Sequence, residues 1–148
     1  MSIAAKPIWH GSPTIADVTT PSVGTLADHC GIVITEIGVD YIRGTMPVTR
    51  SLTQPMGLLH GGASVVLAET LGSIGATFAV DRAQFFCVGQ EINANHLQSA
   101  HPGDLITGTA RPVHLGGRSQ VWSIEMRDQR NRLICISRIT IAVVARRP

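Results

Sequence analysis

The chain is short of charge, short of aromatic rings, and too poor in cysteine to build a disulfide framework. Of its 148 residues, 15% are Asp, Glu, Lys or Arg and 4% are Phe, Trp or Tyr, against 44% hydrophobic. Disorder needs the opposite balance, low hydrophobicity with high charge, and is excluded. The length suits one domain with a single core. So little charge also predicts that part of the surface is covered by another subunit. The formal net charge of +2 gives no reason to expect nucleic acid as a partner. Cys30, Cys87 and Cys135 are odd in number, far apart and without CxxC spacing, so they read as small core residues in a reducing compartment. The opening residues MSIAAKPIWHGSPTIADVTTP lack the continuous apolar stretch of a signal peptide. The longest apolar run, residues 61–80, is broken by Gly and Ser and carries Glu69 near its middle, where a bilayer would make a charge costly. The expectation is a soluble, cytoplasmic protein with no membrane partner.

The charge is unevenly spread. Residues 111–148 carry eight Arg against Glu125 and Asp128, whereas residues 1–110 carry Lys6, Arg43, Arg50 and Arg82 against eight acids. Arg donates in pairs to phosphate. The basic segment is therefore either a face for an anionic ligand or a set of solvated strand faces.

Periodicity sets out the elements. Residues 1–21 read as an extended arm and Ser22 as the cap of a short helix through Cys30, stopped by Gly31. Residues 32–39 and 41–48 read as strands around Asp40, and 49–57 as a loop. A helix runs from Gly61 to about Val80, and strands follow over 85–96, 104–115, 118–127 and 132–145, the last two joined across Asp128–Asn131. Trp122, Ile124 and Met126 alternate with Ser123, Glu125 and Arg127, marking one buried face. Two strands, one helix and four strands predict an α+β fold, an antiparallel sheet curled around a single helix. Gly72, Ser73, Gly75 and Ala76 are small, as close wrapping requires. The division is 1–30 for arm and short helix and 31–148 for the main domain.

Glu69 is the feature that points to chemistry. A helix apolar on all sides is normally buried, and a lone carboxylate in it is either half of an interface ion pair or a base or nucleophile. Gly61 and Gly62 open the helix, leaving its first amides accessible to an oxygen that gains negative charge. Gln54 adds a neutral amide from the preceding loop, and Ser73 follows Glu69 on the same helix face. A carbonyl at the helix mouth would meet donors on its oxygen while a carboxylate attacks its carbon or activates water against it. That layout suits acyl transfer. Each element alone has an ordinary explanation, His60 as a structural histidine included. The joint spacing Gln-x5-His-Gly-Gly-x6-Glu-x3-Ser is far more specific.

The stretch GLLHGGASVVLAET (57–70) resembles the signature of hotdog-fold acyl-CoA thioesterases of the phenylacetic-acid-degradation type. It is especially similar to the 1,4-dihydroxy-2-naphthoyl-CoA hydrolases and to the 4-hydroxybenzoyl-CoA thioesterases that use a helix Glu. TMPV (45–48), GQEINANHL (89–97), PVHLGGRSQVW (112–122) and CISRITIAVV (135–144) extend the likeness from about Ile32 to Val144. The resemblance implies hydrolysis of an aromatic or medium-chain acyl-CoA, with CoA part of the substrate and no separate cofactor. It implies Glu69 as nucleophile or general base, the Gly61 amide as carbonyl polariser, and Gln54, His60 and Ser73 as supporting groups. CoA contacts carry over to Gly89, to His96, Leu97, Gln98 and Ser99, and to His114, Leu115, Gly116, Gly117, Arg118 and Ser119. It also implies sites between subunits of a dimer or of a dimer of dimers, a homotetramer. Gln98 stands where relatives commonly place Arg, leaving that phosphate contact open, and Gly117 replaces a frequent hydroxyl residue.

Two other readings are a non-catalytic acyl-CoA-binding hotdog module and a hotdog dehydratase using His60 with Glu69. No pair among His60, His96, His101 and His114 has helix or knuckle spacing, which argues against a metal. Leu67, Leu71, Phe78, Phe85 and Phe86 are candidates to line the acyl pocket.

Overall fold

The computed structural model describes residues 6–19 and 22–147. Two short helices, α1 (Ile15–Thr19) and α2 (Leu26–His29), precede strands β1 (Val33–Ile37) and β2 (Ile42–Pro47). The long helix α3 (Gly61–Phe78) follows, then β3 (Phe85–His96), β4 (Leu105–Leu115), β5 (Ser119–Arg127) and β6 (Leu133–Ala145). Neighbouring strands are antiparallel throughout, in the order β1-β2-β4-β5-β6-β3. The sheet wraps α3, as the element pattern predicts.

The core is the α3–sheet contact. Ala63, Leu67, Ala68, Leu71, Gly72, Gly75 and Ala76 are buried on the helix. Against them pack the inward residues of β5 and β6, with Trp122, Ile124, Met126, Ile139 and Ile141 all fully buried. Close wrapping accounts for one glycine directly: a Cβ at Gly75 would stand 2.8 Å from the Trp122 ring. Ser73, by contrast, lies outside this buried face. Leu67, Leu71 and Phe78, among the acyl-pocket candidates, are buried in the core of the single chain. The opposite face of α3, with Val65, Val66, Glu69, Thr70 and Ser73, is only half-buried in the single chain.

The amino-terminal segment departs from the expected extended arm. Residues 15–19 are helical, and Thr25 rather than Ser22 caps α2. Asp28 accepts the Gly24 N–H at 2.9 Å there, while the Ser22 carbonyl takes the Thr25 N–H and hydroxyl. Trp9 stacks on Trp122 with centroids 6.3 Å apart and donates to the Gly38 carbonyl at 2.6 Å. The arm thus closes one end of the sheet.

β3 ends up at the far edge of the sheet, paired with β6 alone among the described residues. Phe86 and Val88 are exposed along it.

Candidate active site

The loop before α3 is shaped by Gly57, whose φ of 78° suits glycine. Gly57 N–H donates to the Gln54 carbonyl at 2.9 Å, and Gln54 N–H to the Leu58 carbonyl at 2.8 Å. The Gln54 side-chain oxygen accepts from the Met56 N–H. Its amide NH2 is therefore the end left to donate outward.

His60 is the N-cap of α3. Its Nδ1 accepts the Gly62 N–H at 2.8 Å, and its carbonyl accepts the Ala63 N–H at 2.9 Å. Among the first helical amides, Gly61 N–H has no acceptor among the described residues. With Nδ1 accepting, neutral His60 carries its proton on Nε2 and can only donate there.

A cleft of about 330 Å³ lies at this helix end, lined by Gln54, Gly61, Ser64, His96, Gln98 and Ser99 among others. A Cβ on Gly61 would stand 2.7 Å from His96 Nε2, so the imidazole lies directly over the glycine. Backbone bonds hold the wall: Leu59 N–H to the Ala100 carbonyl at 2.8 Å and Leu97 N–H to Ile134 at 2.8 Å. Ser64 is a residue that the sequence reading missed. It is buried and it lines the cleft. Its position three residues after Gly61, on the same helix face, was the available signal.

Glu69 and Ser73 form a separate group further along the helix. Ser73 Oγ donates to Glu69 Oε1 over a long 3.4 Å, and the carboxylate lies against Gly89 of β3. Glu69 is half-exposed rather than buried and has no ion-pair partner among the described residues. Along the helix axis it stands about 12 Å from Gly61.

The remaining expected CoA contacts fall at the opposite end of α3. His114, Leu115, Gly116, Gly117, Arg118 and Ser119 make the β4–β5 turn, closed by Gly116 N–H to the Ser119 carbonyl at 2.9 Å. Leu115, Gly116 and Gly117 line a cavity of about 270 Å³ with Ala79, Val80 and Phe85. Arg118 has no ion pair among the described residues. One chain therefore brings Gln54, Gly61 and His96–Ser99 together, and keeps both Glu69 and the 114–119 turn away from them.

The profile of the thioesterase superfamily matches residues 56–135, which span α3, most of the sheet and the cleft lining apart from Gln54. The chain belongs to that superfamily. This hotdog-fold thioesterase is 44% identical to the 1,4-dihydroxy-2-naphthoyl-CoA hydrolase of Escherichia coli, over 93% of its own length and 99% of the relative's. It is 43% identical to the proofreading thioesterase EntH of Cronobacter sakazakii, over 93% and 98%. Among solved structures, a mutant thioesterase from Pseudomonas aeruginosa superposes with a TM-score of 0.91 at 39% identity, over 94% of this thioesterase and 99% of that chain. Among the described residues, no group of three or more His, Cys, Asp or Glu side chains is placed to hold a metal, and no helix is long and apolar enough to cross a membrane.

Proposed function

We propose that the protein hydrolyses an acyl-CoA, with an aromatic or medium-chain acyl group, to the free acid and CoA at a site shared by two subunits. The observation that carries this reading is the separation on α3. Gly61 and Glu69 are separated by about 12 Å of backbone rise along one helix, and Glu69 is not among the residues that line the cleft at Gly61. A carbonyl oxygen and its carbon are about 1.2 Å apart. That separation favours a shared site, in which Glu69 of one subunit works with Gln54 and Gly61 of its neighbour. The open edge of β3, with Phe86 and Val88 exposed along it, supports pairing there.

In this arrangement Gly61 N–H and the Gln54 amide donate to the thioester oxygen as it gains charge. Glu69 either adds to the carbonyl carbon itself or takes a proton from a water that adds there. Either way the C–S bond breaks, the thiolate leaves and gains a proton, and water supplies the oxygen of the acid. His60, limited to donating from Nε2, orients the thioester or eases thiolate departure. The same limit disfavours a dehydratase, which needs that histidine as a base. Glu69 argues against a non-catalytic binding module. Arg118 and the 114–119 turn are assigned to CoA phosphates, and the reading requires no cofactor beyond the acyl-CoA and water.

The test is thiol release from a panel of acyl-CoAs by the wild type and Glu69→Gln. The variant keeps size and oligomer and loses at least about 100-fold in rate. Near-full activity in it would overturn the assignment.

A further inference from the structure

Gly89 sits at a fault in the sheet. It pairs with Ile141 while Glu91 pairs with Thr140, so Gln90 is an extra residue and the strand bulges. Its φ is outside the left-handed region, so the backbone alone does not call for glycine. The three atoms nearest to a Cβ built there all belong to Glu69. That Cβ would overlap Glu69 Oε1 and lie 3.4 Å from the carboxyl carbon and 3.7 Å from Oε2.

We propose that Gly89 is a positioning residue for thioester hydrolysis: its missing side chain is the space in which the Glu69 carboxylate rests. The inference stands on the catalytic reading of Glu69. Little else holds that carboxylate among the described residues, since it has no ion pair and only the long bond from Ser73. The β3 backbone at Gly89 therefore sets where the carboxylate is presented. The obstructed atom is the tip of a flexible side chain, so a methyl at 89 displaces the carboxylate and leaves the fold in place. That differs from a CoA contact, the role implied by resemblance, which would act through substrate binding.

The test compares wild type, Gly89→Ala, Glu69→Asp, the double variant and Glu69→Gln as purified full chains, using whichever acyl-CoA of the panel is hydrolysed fastest. Gly89→Ala is expected to unfold at the wild-type temperature, to lose roughly 10- to 100-fold in kcat and to change KM by less than about twofold. In the Glu69→Asp background the carboxylate is withdrawn by one methylene, so adding Gly89→Ala is expected to cost much less, a non-additive pair. A raised KM with kcat unchanged, an equal loss in both backgrounds, or a loss of thermal stability that accounts for the activity would each overturn the inference. Near-full activity in Glu69→Gln would overturn the Glu69 reading, and the inference with it. That result comes from a separate variant, so the two failures are distinguishable.

Discussion

His60 caps the long helix by accepting the Gly62 N–H on Nδ1 at 2.8 Å, so a residue proposed to support the thioester also holds the helix end. Two substitutions separate the roles. His60→Ala removes the cap and is expected to cost about 1 kcal/mol of stability. His60→Asn supplies another good capping acceptor and is expected to restore most of that stability without restoring the Nε2–H donor. Thermal denaturation and thiol-release assays read the two effects independently. Both variants should lose less activity than Glu69→Gln, because the histidine supports the carbonyl without attacking it.

Arg118 has no ion pair among the described residues and stands on the β4–β5 turn. If it grips CoA phosphates, Arg118→Ala raises KM for acyl-CoA and barely affects a truncated thioester without the nucleotide. Steady-state kinetics on both substrates decide it. Equal loss on the two would mark Arg118 as structural.

The elements were legible because period-2 alternation is unbroken where one strand face is buried. Trp122, Ile124 and Met126 are fully buried against half-buried or exposed Ser123, Glu125 and Arg127, as their spacing predicts. The helix start was legible from Gly61 and Gly62. The strand order was not, because the crossing of α3 carries β3 to the far edge, and no local pattern in Phe85–His96 records that. Helix α1 was hidden by Pro and Thr punctuation. Glu69 was expected to be buried because its helix is apolar all round, yet the sheet covers one face of α3 and leaves the other only half-buried in the single chain. The separation of Glu69 from Gly61 follows from helix rise alone, but its consequence emerges only once the cleft is seen to exclude Glu69.

Asp128 anchors the last hairpin. It accepts the backbone N–H groups of Arg130 at 3.0 Å and Arg132 at 2.8 Å and pairs with the Arg132 guanidinium at 2.7 Å. Burial alone would raise its pKa, but the Arg132 and Arg130 N–H groups and the Arg132 charge outweigh burial and hold it below the usual carboxylate value. A depressed folded pKa adds stability above the unfolded carboxylate value, and that stability is lost as pH falls through the folded one. Asp128→Asn is therefore expected to lower Tm at neutral pH. The gap to wild type should close as pH falls below about 4. Melting curves across that range check it, and a gap independent of pH would contradict it.

Subunit complementation tests the shared site most directly. Glu69→Gln removes the carboxylate, and Gly61→Val fills the helix mouth beside His96 and covers the Gly61 donor. Each variant alone is expected to be nearly inactive. When the two chains are denatured together in equal amounts and refolded, half the dimers are mixed, and each mixed dimer carries one intact site. The account predicts recovery of about a quarter of wild-type activity. A mixture no more active than its parents would contradict it, placing Glu69 and Gly61 in the same subunit's site or outside the chemistry altogether.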